Sequence, residues 1–125
     1  MEGYKATVTR ASKELSVKDK IKLKDMSDAI KLDDVVKDSA IIITPVLYAI
    51  IDVHNEKSDT KDYAKIVIID KDETKYTTGS TPFMTTFEDI WDEMVDAGEE
   101  EFSIKIYPKE SKNYKGKYFI TCSLV

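Results

Sequence analysis

The chain has 125 residues and a net charge of −5, enough for one domain with a modest core and, taken as a sum, a poor match to a polyanion. No apolar run approaches the roughly 20 residues of a membrane helix, and the opening MEGYKATVTR lacks the apolar core of a signal peptide, so neither a membrane partner nor export is expected. The single cysteine, Cys122, excludes an internal disulfide and fits a reducing compartment, with the cytoplasm as the expected location.

Signals in residues 1–39 are short. YKATVTR alternates like a strand, Ser16 stands where it would cap a short helix through Val17, Ile21 and Lys24, and AIKLDDVV reads as another short strand. No linker rich in Gly, Pro or Ser follows. A single domain is therefore expected, with 1–39 as an extension packed on a main body formed by 40–125.

That main body has clearer punctuation. AIIITPVLYAIIDVHN (40–55) is β-branched and apolar, a long strand interrupted at Pro45, because proline cannot donate to a ladder. A polar loop (55–62) leads to a second strand, YAKIVIID (63–70), then a turn and a third strand, KYTTGS (75–80). The period then changes. Thr81 before Pro82 is a helix-start signal, Phe83, Phe87, Ile90, Trp91 and Met94 form one apolar stripe, and Gly98 suits the stop. In EFSIKIY (101–107), Phe102, Ile104 and Ile106 face one way and Ser103, Lys105 and Tyr107 the other. GKYFITCSLV (116–125) is the fifth strand of this body.

The charge is patterned along this order. From Tyr76 to Ile104 there is no lysine or arginine, while Glu88, Asp89, Asp92, Glu93 and Asp96 fall opposite the apolar stripe of the helix. From Lys105 to Lys117 there are five lysines against one acid, Glu110. A local basic surface thus survives the negative sum.

Three strands, a helix and two strands make the order of an OB-fold, a five-stranded, partly open Greek-key barrel; the expected class is mainly β with one helix between the third and fourth strands of the barrel. Such barrels bind oligonucleotides on strands 2 and 3, between the 1–2 loop (here 55–62) and the 4–5 loop (here 108–116). Lysines attract phosphates and release counterions, while aromatic faces stack exposed bases. The candidate contacts are Tyr63, Lys65 and Lys75 on the second and third strands, Lys105 and Tyr107 on the fourth, and Lys109, Lys112, Tyr114, Lys115 and Lys117 in and beside the hairpin. The last strand offers Tyr118 or Phe119, but not both on one side.

The run DYAKIVIIDKDETKYTTGSTPFMTTFEDIWDEM, followed by SIKIY and SKNYKGKYFITC, resembles small phage-type single-stranded DNA-binding proteins of the OB class. The similar pieces are the Gly79-Ser80 corner entering an aromatic helix and the Lys-Gly-Lys-aromatic entry to the last strand, within residues 40–125. The resemblance implies sequence-tolerant coating of single-stranded DNA in replication or recombination, in a host cytoplasm if bacteriophage-encoded, with replication or recombination proteins and further copies of the chain as partners. Bacterial members usually end in a flexible acidic tail that recruits partners. Here a strand pattern runs to Leu124 and Val125, so recruitment of that kind is not expected.

Other readings compete. The acidic helix face offers an alternative function as a protein-interaction module, an adaptor or inhibitor. Trp91 and Phe87 read as core, and Cys122, alternating with Ile120 and Leu124, reads as a small core residue. His54 has no second histidine or cysteine near it for a metal site. DKDET (70–74) begins like a calcium loop but lacks the glycine and glutamate that complete one. With no phosphate loop, dinucleotide fingerprint, zinc pattern or nucleophile elbow, neither an enzyme nor a cofactor is expected.

Overall fold

The computed structural model describes residues 4–12, 14–25, 27–36, 39–57, 62–99, 101–111 and 116–125. In chain order the elements are β1 (Tyr4–Ala11), α1 (Val17–Lys24), β2 (Ile30–Lys31), α2 (Leu32–Val35), β3 (Ile41–Ile43), β4 (Pro45–Asn55), β5 (Asp62–Asp70), β6 (Lys75–Thr78), α3 (Thr81–Asp96), β7 (Ile104–Glu110) and β8 (Tyr118–Leu124). The protein is mainly β. A five-stranded sheet has the order β1-β4-β5-β6-β2 and a three-stranded sheet the order β3-β7-β8.

The run 41–55 serves both sheets. It breaks at Thr44–Pro45, as proline demands, and the break redirects the chain. Before it, Ile41 and Ile43 pair with Ile106 and Ile104 of β7. After it, β4 lies antiparallel between β1 and β5. The Thr44 carbonyl accepts from Lys71 N (2.9 Å), and its hydroxyl meets Ser103 Oγ (2.7 Å), so both sides of the break are tied down.

The strands do not close into a barrel. Among the described residues no ladder joins β6 to β8; β6 instead takes β2 in parallel on its free edge, Ile30 beside Tyr76 and Lys31 beside Thr77. Side chains bridge the gap. Thr78 Oγ1 donates to Asp33 Oδ2 (2.9 Å) and accepts from Ser80 N (3.1 Å), and Ser80 Oγ donates to the Ile120 carbonyl of β8 (3.3 Å).

The strand expected over AIKLDDVV is mostly a helical turn. Only Ile30–Lys31 are strand; Leu32–Val35 wind into α2. Leu32 and Val36 are both fully buried while Asp34 between them, which a strand would place on the same face, is exposed; a helical turn gives that pattern and a strand does not. Asp33 and Asp34 sit in its first turn, where the helix dipole favours them.

Helix α3 begins one residue earlier than its sequence suggests. Its N-cap is Ser80, whose Oγ accepts from Phe83 N, and Thr81 is the first helical residue. At the other end Gly98, at φ +77°, follows the cap residue Ala97. Gly98 N donates to Val95 O and Glu99 N to Met94 O, the paired bonds of a Schellman stop.

Two apolar layers result. The inner layer joins both sheets to α3 through Tyr48, Ile66, Ile68, Phe83, Phe87, Ile104 and Ile106, with Trp91 packed against it. The Tyr48 ring stands edge-on to Phe87 and to Trp91, each at 5.1 Å. The outer layer lies on the other face of the five-stranded sheet. Leu47, Ala49, Ile51, Val53 and Val67 are buried there together with Leu23 of α1. Residues 4–36 thus supply an edge strand, a cover for one sheet face and part of the inner core.

Candidate nucleic-acid interface

The sheet registers decide which of the expected contacts share a surface. On β7, Ile104 and Ile106 point into the core, so Lys105, Tyr107 and Lys109 point outward. Across the ladder Tyr107 faces Thr121 and Lys109 faces Phe119, while Ile42 of β3 lies opposite Lys105 from the other side. Lys105 and Lys109 are exposed, Tyr107 and Phe119 are half-buried, and Ile42 is 62 % exposed. Lys105 Nζ lies over the Tyr107 ring, 6.0 Å from its centroid. Neither ammonium is ion-paired with a described residue. This outer face therefore combines unpaired cations with aromatic planes.

Lys117 is exposed at the entry to β8, and its carbonyl accepts from Ser111 N at 2.8 Å, closing the base of the β7–β8 hairpin. Gly116, at φ +82°, turns the chain there, and its N–H donates to Glu110 Oε1 (3.3 Å). Lys112, Tyr114 and Lys115 lie outside the described residues.

The second and third strands of the expected site offer less. Tyr63 and Lys65 do share the outer face of β5, with Lys65 Nζ 5.8 Å from the Tyr63 centroid. That face is the one covered by α1, and Tyr63 packs against the same apolar layer as Leu23. Lys75 presents no free ammonium. Its Nζ donates to the carbonyls of Lys22 (2.7 Å) and Asp25 (2.9 Å) and pairs with Asp28 (3.0 Å), leaving the side chain 11 % exposed. It thus satisfies carbonyls at the C-terminal end of α1, which no intrahelical donor reaches. The basic hairpin pairs back on β3 and not on β5 or β6, so among the described residues no ladder unites the two groups of candidate residues.

The acidic helix face is also partly spent. The Arg10 guanidinium of β1 meets Glu88 through one nitrogen and both oxygens of Asp92 through the other (2.9 and 3.0 Å). The hydrogen bond to Asp92 is the main reason the Arg10 pKa is raised further. Asp89, Glu93 and Asp96 remain outward.

His54 stands between two carboxylates. Nδ1 lies 2.7 Å from Asp62 and Nε2 2.6 Å from Glu56. Only the doubly protonated ring donates to both, so these bonds, Asp62 first and Glu56 second, raise its pKa. Asp70, in the segment that begins like a calcium loop, instead caps its own turn: one oxygen accepts from Asp72 N (2.9 Å) and Thr74 N (3.1 Å). Burial pushes the Cys122 thiol up to about 12, the behaviour of a core residue. No described helix is long and apolar enough to cross a membrane.

The last strand offers Tyr118 or Phe119, and the register decides between them. Phe119 belongs to the Lys109 face, and Tyr118, turned the other way, is 67 % exposed. The signal was the hairpin register: pairing Glu110 with Tyr118 fixes which ring joins which lysine. No protein-family model, curated protein or solved structure matches the chain.

Proposed function

We propose that this protein binds single-stranded DNA without strong sequence preference, protecting or organising it in replication or recombination, and that it does so through the outer face of the β3-β7-β8 sheet. The observation that carries this is the alternation of Lys105, Tyr107 and Lys109 on one open face, with Phe119 opposite Lys109. Lysines four residues apart on one face of a strand meet separate parts of an extended backbone, and the rings between and beside them stack bases whatever their identity. Duplex DNA hides its bases from such a flat face, which favours a single strand.

The strand order supports an OB-like reading of the fold. Residues 41–55 act as the shared first strand, β5 and β6 as the second and third, and β7 and β8 as the fourth and fifth, with α3 between β6 and β7. In this reading the barrel is left open between β6 and β8, and binding moves from the covered faces of β5 and β6 to the uncovered sheet.

Titration of a fluorescent oligo-dT at two salt concentrations tests the proposal. Three lysines on phosphates, Lys105, Lys109 and Lys117, give a logarithmic slope of about −2, so affinity falls roughly 20-fold between 50 and 200 mM salt. No binding at low salt would end the reading; binding indifferent to salt would remove the lysines from it.

A further inference from the structure

The open seam between β6 and β8 holds a second feature. A cleft of about 460 Å³ is lined by Asp33, Val36, Ser80, Pro108, Tyr118 and Phe119, a size within the range of small-ligand sites. Its walls are mostly apolar, with one carboxylate among them. That carboxylate is held in place, because Asp33 Oδ2 accepts from Thr78 Oγ1, which in turn accepts from Ser80 N. Asp33 is exposed, and its other oxygen makes no hydrogen bond with a described residue. Tyr118, the most exposed aromatic among the described residues, lines the same cleft. Phe119 lines it as well and belongs to the outer face with Lys109, so the cleft adjoins the surface assigned to the DNA backbone.

We propose that this cleft is a base subsite selective for guanine, in which Tyr118 stacks on the base and the Asp33 carboxylate accepts its N1–H and its N2 amino group. The inference rests on the single-stranded DNA reading above and adds a preference to otherwise tolerant binding. Guanine alone among the DNA bases places two adjacent N–H donors on one edge, matching the two oxygens of a carboxylate. Adenine and cytosine place a ring-nitrogen acceptor beside their amino group, and thymine flanks its single N–H with two carbonyls; each sets a lone pair against the anion. A carboxylate beside a phosphate-binding face repels the backbone, so whatever Asp33 adds to DNA binding comes through the base.

The test compares a 15-nucleotide oligo-dT with the same strand carrying one central dG, dA or dC, titrated against the wild type, Asp33→Asn and Tyr118→Ala. The dG strand is expected to bind the wild type about tenfold more tightly than the other three. Asp33→Asn keeps the Thr78 hydrogen bond through its amide oxygen, binds oligo-dT at least as tightly as the wild type because a repelling charge is gone, and loses the preference. Tyr118→Ala removes an exposed ring, leaves the fold intact and lowers affinity for the dG strand most. Equal, salt-dependent binding of all four strands by the wild type overturns the subsite and leaves the parent reading standing. A dA or dC strand that binds as tightly as the dG strand overturns the choice of guanine. Absence of binding to every strand at low salt overturns both.

Discussion

Lys75 separates a structural from a functional lysine. Lys75→Met keeps the aliphatic stem and removes the ammonium, with its bonds to the carbonyls of Lys22 and Asp25 and to the Asp28 carboxylate. A hydrogen bond to a charged group contributes about 1.5–3 kcal/mol. Asp28 is 70 % exposed, so its part is about 1 kcal/mol or less. The two carbonyls regain water once α1 loosens, which offsets part of their loss. The net cost is about 2–3 kcal/mol, a fall in Tm of roughly 10 °C for a domain of this size. Circular dichroism melts and urea titrations read it directly. Oligo-dT affinity is expected to stay within about twofold of wild type, because this ammonium faces α1 and not solvent. Unchanged stability, or a loss of DNA affinity as large as that of Lys105→Ala, would refute the assignment.

On the open sheet, Tyr107→Ala is expected to weaken oligo-dT binding by about 1–3 kcal/mol with the salt slope unchanged, whereas Lys105→Ala flattens the slope by about 0.7; fluorescence titration distinguishes the two. His54 is the only histidine, so its ring protons are unambiguous by NMR. Its midpoint is expected above the usual histidine value and lower in Asp62→Asn, and because the folded pKa is raised, its stabilising contribution is full below the unfolded pKa and fades as pH rises through the folded one. Cys122 is expected to resist a thiol reagent in the native protein and to react at once in denaturant; rapid native modification would contradict its burial. A fragment of residues 40–125 is expected not to fold. It lacks Leu23, Leu32 and Val36, all fully buried and together worth about 5–9 kcal/mol, as much as a typical domain's whole stability; a cooperative melt of the fragment would show otherwise.

Periodicity made the second half of the chain legible. The alternation in 101–107, the stripe from Phe83 to Met94 and the break at Pro45 each depend on neighbours within a few residues, and each appears in the fold. Even in residues 4–36 the strand at Tyr4–Ala11 and the helix capped by Ser16 follow from local pattern. The shift of the α3 cap from Thr81 to Ser80 is a local ambiguity, since both carry a hydroxyl and proline fits either of the first two helical positions. The site was harder to read for a different reason. Lys75 is bound by backbone carbonyls some fifty residues earlier, and carbonyls leave no mark in a sequence. Arg10 reaches acids about eighty residues later. Such pairings belong to the tertiary fold, and they decide which charges remain free.

That division of charges bears on where the proposed binding surface sits. A sheet face rich in Leu47, Ile51, Val53 and Val67 cannot stay open to water, and here α1 covers it. The cover meets β5 in the layer of Leu23, Tyr63, Val67 and Ile69, and Lys75 of β6 fastens its end. The opposite choice was made on the three-stranded sheet. Its outer face carries Lys105, Tyr107, Lys109, Thr121 and Ser123 beside Phe119 and Ile42, a mixture polar enough to need no lid. The hydrophobicity of the two outer faces thus accounts for which one is sealed by residues 4–36 and which is left open. On the second, Lys105 and Lys109 are exposed and have no ion pair among the described residues.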